Sequence, residues 1–273
     1  MTEKAAIHTI GVIGTGSMGT ALVRGLLAGT PARTVFQVFD REPEQARALA
    51  ALDGSRITHV SELAELVTGS DPVIISVKPQ DMDSLLRSIS GYLRPGKVVV
   101  STAAGVTLAR LRNGVGASAK LYRIMPNLAV AIGEGVVALA PEDVSDGGAA
   151  VKGLRSLLSC LGSVEVLPEE YFDAVTAVAA SGPAFLALVL EALEDGAVRS
   201  GLPRGVSRVF VRQMALGTAD LLMDVPGSSA ELKDRVSSPG GTAIAGLAVL
   251  EDRGVRGALL RAVEAATERS KQL

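Results

Sequence analysis

Cysteine is almost absent: the 273 residues hold one, Cys160, set among Leu157, Leu158 and Leu161. A single thiol excludes a disulfide framework and a zinc site built on cysteines. Histidine is nearly as scarce. His8 precedes an apolar strand-like run, and His59 follows Ile57 and Thr58, with no second metal ligand near either in sequence. Both read as structural, which sets aside Ser-His-Asp and histidine–metal chemistry. Trp is missing and aromatics make up 3%, so base-stacking surfaces are not expected. Lys and Arg total 27 against 29 Asp and Glu, so no basic excess exists to neutralise a nucleic-acid backbone. No uninterrupted apolar run reaches the roughly 18 residues of a membrane span, and Met1–Ala6 carries no leader pattern. The expectation is a cytoplasmic protein with neither nucleic acid nor membrane as partner.

What remains is a globular composition, 48% apolar and 21% charged. Short β-rich runs alternate with helical patterns through the first part. The runs are Ile7–Ile13, Val35–Phe39, Pro72–Val77, Lys97–Ser101, Leu121–Ile124, Gly135–Ala140 and Ser163–Leu167. Met18–Leu27 and Pro43–Leu52 have helical spacing. Such alternation specifies a mostly parallel sheet covered on both faces. After Pro168 the spacing is helical throughout: Glu169–Ser200, Arg204–Leu222, Ala243–Leu250 and Val255–Ser270. The predicted fold class is α/β, with a Rossmann-type dinucleotide-binding domain at 1–167 and an all-helical domain at 168–273. A helical domain that small and that rich in Ala, Leu and Val needs a partner for its apolar surface.

Gly14-Thr15-Gly16-Ser17-Met18-Gly19 follows the first apolar run and opens the first helix. In that context the three glycines have separate roles: a tight turn, access of a pyrophosphate to the backbone, and close packing of helix on strand. Asp40 stands 21 residues after Gly19, at the end of the second strand, where a carboxylate would accept from a ribose 2′-hydroxyl. That weakly favours NADH within NAD(P)H. Arg41 is either a solvated helix-entry residue or a hold for a 2′-phosphate. Val77-Lys78-Pro79 ends a strand at the sheet edge where ligands bind, or is an ordinary turn.

A second loop, Ser237-Ser238-Pro239-Gly240-Gly241-Thr242, enters a helix. Its exposed N–H groups suit a small carboxylate, and equally a plain helix cap. Ser181-Gly182-Pro183 interrupts another helical pattern; Pro183 would free a carbonyl upstream.

Together these residues resemble the pyrroline-5-carboxylate reductases. The likeness is carried by Gly14–Gly19, Val77–Pro79, Ser101-Thr102-Ala103-Ala104-Gly105 and Arg123-Ile124-Met125-Pro126-Asn127. It continues through Asp173–Thr176, Ser181–Ala184, Gly201-Leu202-Pro203, Gln213 with Gly217, and Ser238–Thr242. The resemblance implies hydride transfer from NAD(P)H to a cyclic imine carbon, a homodimer of interlocked helical domains, and larger rings of dimers. It implies a cofactor site of Gly14, Thr15, Gly16, Ser17, Met18, Gly19, Asp40, Arg41, Val77, Lys78, Pro79, Ala103, Ala104 and Arg235. It implies a substrate site for an imine carboxylate at Glu169, Ser181, Ser238, Gly240, Gly241, Thr242 and Ala243, with no metal and no assigned catalytic side chain. The chain departs from the family at Ala179, Ala180, Phe185, Leu128 and Ala243, where hydroxyl-bearing or smaller residues are usual. At Ala243 the family's threonine contacts the ring nitrogen. Reduction of a different cyclic imine, or cofactor binding without catalysis, are the alternatives.

Overall fold

The computed structural model describes residues 9–116, 119–142, 148–224 and 227–273; His8 lies outside them. Eight strands form one sheet: β1 Thr9–Ile13, β2 Val35–Phe39, β3 Ile57–His59, β4 Val73–Ile75, β5 Val98–Ser101, β6 Lys120–Pro126, β7 Gly135–Pro141 and β8 Gly162–Val166. Their order is β3-β2-β1-β4-β5-β6-β7-β8. All neighbours are parallel except β6 and β7. The chain winds outward from β1 to β3, returns to β4 on the other side of β1, and winds outward again. The topological switch therefore lies between the carboxyl ends of β1 and β4. The short strand β3 was not named in the sequence reading, although His59 was set in a strand-like context; the other strands lie within two residues of their expected bounds.

Helices α1 Ser17–Gly29, α2 Pro43–Ala50, α3 Leu63–Gly69, α4 Met82–Ile89, α5 Leu108–Val115 and α6 Ala149–Leu158 cover the sheet. Alternate residues of each strand feed two cores. Ile10, Val12, Ile74 and Val100 pack with Leu22 and Leu26 of α1 and Leu154 of α6. Ile13, Val73, Ile75 and Val99 pack with Leu66 of α3, Leu86 of α4 and Leu111 of α5. Strands buried on both faces must be apolar at every position, which explains runs such as Val98-Val99-Val100. Cys160 packs at the edge of the first core, and burial pushes its thiol above the ordinary range.

Beyond β8 follow α7 Phe172–Val175, a π-helical turn Thr176–Ala180, α8 Gly182–Arg199, α9 Arg204–Asp224, α10 Ser229–Val236, α11 Thr242–Asp252 and α12 Val255–Ser270. The compact units do not divide where the sequence reading placed the boundary. The first runs to Ala180 and includes Ala266–Leu273; the second is Ser181–Ala265. Phe172, 1% exposed, belongs to the second sheet core, and buried Ser270 donates from its hydroxyl to Asp173 Oδ1 at 2.7 Å. Those contacts tie both flanks of the helical segment to the sheet. Pro183 lies in the first turn of α8, where no helical hydrogen bond is lost, so the expected break is a helix start.

The second unit buries little of itself. In α8–α11 the buried residues are Glu194, Ser207 and Val211. Leu188 is 67% exposed, Phe210 67% and Met223 82%. Glu194 is held by Arg208 at 3.6 Å and Arg212 at 3.2 Å, and its carbonyl accepts from Ser207. By length and composition the helical run Glu169–Arg199 is apolar enough to cross a membrane, although no uninterrupted apolar stretch of that length exists. Its uncovered leucines, like the exposed apolar residues of α9, are surface whose burial requires another chain. The chain should sediment as a dimer or larger at micromolar concentration; a stable monomer there would contradict this account.

Candidate active site

The turn after β1 is shaped by missing side chains. Gly14 has φ +95°, and a Cβ there would meet the Ser76 carbonyl oxygen at 2.4 Å. A Cβ on Gly19 would lie 1.9 Å from the Gly14 carbonyl oxygen, so α1 and β1 approach as closely as backbones can. At Gly16 a Cβ would meet nothing within 4 Å. That open space lies over the start of α1, where Gly16 is the cap, no side chain satisfies the first N–H groups, and no acidic residue occupies the first turn. A pyrophosphate fits this cradle on geometry, charge and donor supply.

Asp40 follows β2 and is tied to the same loop. Its Oδ2 accepts from the Thr15 N–H at 2.6 Å and the Thr15 hydroxyl at 3.0 Å, and its Oδ1 accepts from the Glu42 N–H at 3.0 Å. A carboxylate retains lone pairs after these contacts, so it can still accept from a ribose. Arg41 points outward and pairs with Asp81 at 3.3 Å.

A cleft of about 640 Å³ opens beside the glycine loop. Gly16, Ser17, Met18, Val77, Lys78, Pro79, Ala103 and Ala104 line it. Gly14, Thr15 and Gly19 shape the loop behind it. Thr102, Met125, Pro126, Thr176 and Ala180, named in the sequence without a site role, complete the wall together with Ser76, Gln80, Arg110 and Leu273, which the sequence reading did not single out. These residues come from the carboxyl ends of β4, β5 and β6 and from segments packed there. Arg110 is fixed by two bonds to Asp83, at 2.9 and 3.0 Å, which hold the Asp83 carboxyl below its ordinary range.

Glu169, a substrate candidate, opens the turn that precedes α7. Its Oε1 accepts from Arg123 Nη1 at 2.9 Å and from the Leu108 N–H at 2.8 Å, at the start of α5. The Arg123 side chain is 4% exposed, lies 4.9 Å from the Phe172 ring centre, and has no hydrogen-bond partner for Nε and Nη2 among the described residues. Through Oε1 Glu169 thus answers a buried cation and meets the start of a helix, while its side chain stays 28% exposed. Arg235, a cofactor candidate, lies on α10 in the second unit, where it lines a cavity of about 420 Å³ with Leu221, Ser228 and Glu231.

The remaining substrate candidates also lie in the second unit. Ser181 precedes α8. In the Ser238–Ala243 loop, Gly240 has φ +68°, the Gly241 N–H donates to the Ser238 carbonyl at 3.0 Å, and Gly241 caps α11 without a side-chain bond. This is a second helix start without a side-chain cap or an acidic residue in its first turn.

The family described as pyrroline-5-carboxylate reductase dimerisation matches residues 169–273. The family described as NADP oxidoreductase, coenzyme F420-dependent, matches residues 9–105. The chain is 38% identical to a pyrroline-5-carboxylate reductase of Synechocystis over 265 residues, 97% of each chain. It is 36% identical to one of Methanosarcina acetivorans, again over 97% of each chain. The solved pyrroline carboxylate reductase of Plasmodium falciparum with NADP bound superposes with a TM-score of 0.86 at 27% identity, covering 99% of both chains.

Two variants test this geometry. Gly16→Val should abolish dinucleotide binding in a calorimetric titration and leave the melting temperature within about 2 °C, because φ −63° accepts a side chain and the space is open. Retained affinity would refute the cradle. Glu169→Ala should cost about 3–5 kcal/mol in denaturant unfolding, because it strands the Arg123 cation. A neutral result would mean that the ion pair is not formed.

Proposed function

Because the chain belongs to the pyrroline-5-carboxylate reductase family, we propose that it reduces 1-pyrroline-5-carboxylate to L-proline with NAD(P)H. The observation that carries this reading is the coincidence of full-length kinship with an intact dinucleotide cradle at Gly14–Gly19. When bound, the reduced nicotinamide supplies the hydride that the imine carbon accepts.

The chain's own residues bind and orient. The uncapped start of α1 takes the pyrophosphate, and Asp40 accepts from the ribose. Val77–Pro79, Ala103 and Ala104 form the wall on the far side of the loop. The uncapped start of α11 at Ser238–Thr242 takes the substrate carboxylate, which leaves the imine nitrogen to be protonated by solvent or to arrive as an iminium. We assign residues 168–273 to dimerisation and substrate binding, and the working assembly to rings of dimers in the cytoplasm. The Asp40 carboxylate repels a 2′-phosphate, which favours NADH. The exposed Arg41–Asp81 pair is worth no more than about 1 kcal/mol, so Arg41 is available when Asp40 is removed.

Reduction of a different imine is the second reading, and Ala243 favours it: a methyl group in the first turn of α11 offers no donor to a ring nitrogen and leaves room for a larger ring. Following NADH and NADPH oxidation with five- and six-membered cyclic imines separates the two readings. Turnover on pyrroline-5-carboxylate supports the first; turnover confined to another imine supports the second; tight cofactor binding without turnover refutes both.

Asp40→Ser should erode the preference for NADH, measured as the ratio of kcat/KM values; a wild type that strongly favours NADPH would contradict the role given to Asp40. Ala243→Thr should raise kcat/KM on pyrroline-5-carboxylate by about three- to tenfold, the value of one added hydrogen bond. If activity on that substrate stays poor and activity on a bulkier imine falls, the alanine makes room for substrate instead.

A further inference from the structure

Residues 266–273 return to the sheet-bearing unit after the helical segment. Two contacts fix them there. Ser270, 2% exposed, donates to Asp173 Oδ1 at 2.7 Å. Three residues on, Leu273 rests on Gly105 so closely that a Cβ on that glycine would lie 2.6 Å from Leu273 Cβ. Gly105 ends the loop Thr102-Ala103-Ala104, whose three residues line the cleft, and Leu273 lines it as well. The other end of the loop is already tied down: the Thr102 N–H donates to the Ile75 carbonyl at 3.0 Å, and the Thr102 hydroxyl lies 3.3 Å from Ser76 Oγ. At the later end Leu273 covers Gly105, next to Val106, which is buried in the second core.

We propose that Leu273, clamped by the Ser270–Asp173 hydrogen bond and seated on Gly105, is a positioning residue for the nicotinamide half of the dinucleotide. The inference rests on the cofactor reading above. The cleft wall at β5 and β6 lies across β1 and β4 from Asp40, so it serves the half of the dinucleotide that Asp40 does not. The contact with Gly105 is made by Leu273 Cα, Cβ and carbonyl carbon, which leaves the rest of the side chain, half exposed, to share the cleft wall with Ala103, Ala104, Met125 and Pro126 and to exclude water from that half. Pyrophosphate binding at Gly16 does not depend on this contact.

The test compares NADH with ADP-ribose, which carries the adenosine and pyrophosphate but lacks the nicotinamide, by calorimetric titration of the full chain. Leu273→Ala and Ser270→Ala should each weaken NADH by about three- to tenfold, the value of one partly buried aliphatic contact, and leave ADP-ribose unchanged. Leu273→Met and Ser270→Thr should restore NADH affinity. Equal loss of both ligands, or loss of neither, overturns the proposal. If the wild type binds neither ligand, the cofactor reading itself fails, and the two failures are thereby distinguished. Melting temperatures identify any variant that has lost its fold, and the rescuing pair then decides the question.

Discussion

The cleft depends on one close approach: the backbone of α1 at Gly19 against the Gly14 carbonyl at the end of β1. No residue with a Cβ permits it. The approach sets the angle at which α1 leaves the sheet, and hence where its N–H groups converge. Those groups carry no side-chain cap, and they open over the place where the strand order reverses. Anion binding is therefore a property of the backbone. The side chains around it, Asp40 through Thr15 and Ser76 through Thr102, hold the loops that border that opening.

The helical unit solves a different problem. Its exposed leucines, valines and methionines would be untenable on an isolated chain, and its buried carboxylate, Glu194, is answered by Arg208 and Arg212 at the surface. Such a unit is organised to be half of something. Dimerisation, which the matching family is named for, supplies the missing apolar contacts.

The local part of this was legible in the sequence. Glycines at fixed spacing after an apolar run have few physical reasons to recur together, so the cradle could be read without coordinates. Asp40 was legible by its distance from Gly19, but its bonds to Thr15 were not, because nothing in the sequence states which atoms of the loop face it. Long-range pairings were opaque. Glu169 and Arg123 are 46 residues apart, and only the packing of Phe172 beneath the guanidinium reveals why the carboxylate is committed. Leu273 and Gly105 are farther apart still. The extent of the sheet-bearing unit was opaque for the same reason: the chain after β8 has helical spacing, yet Phe172 joins the sheet core and Ser270 bonds to Asp173 beside it.

The central claim is that this fold carries hydride from a nicotinamide to a cyclic imine carboxylate. Its most direct measurement is isotopic: incubate the protein with 1-pyrroline-5-carboxylate and NADH deuterated at both C4 positions, and analyse the product by mass spectrometry. The account predicts proline carrying one deuterium at the former imine carbon. Oxidation of the cofactor without labelled proline would contradict it.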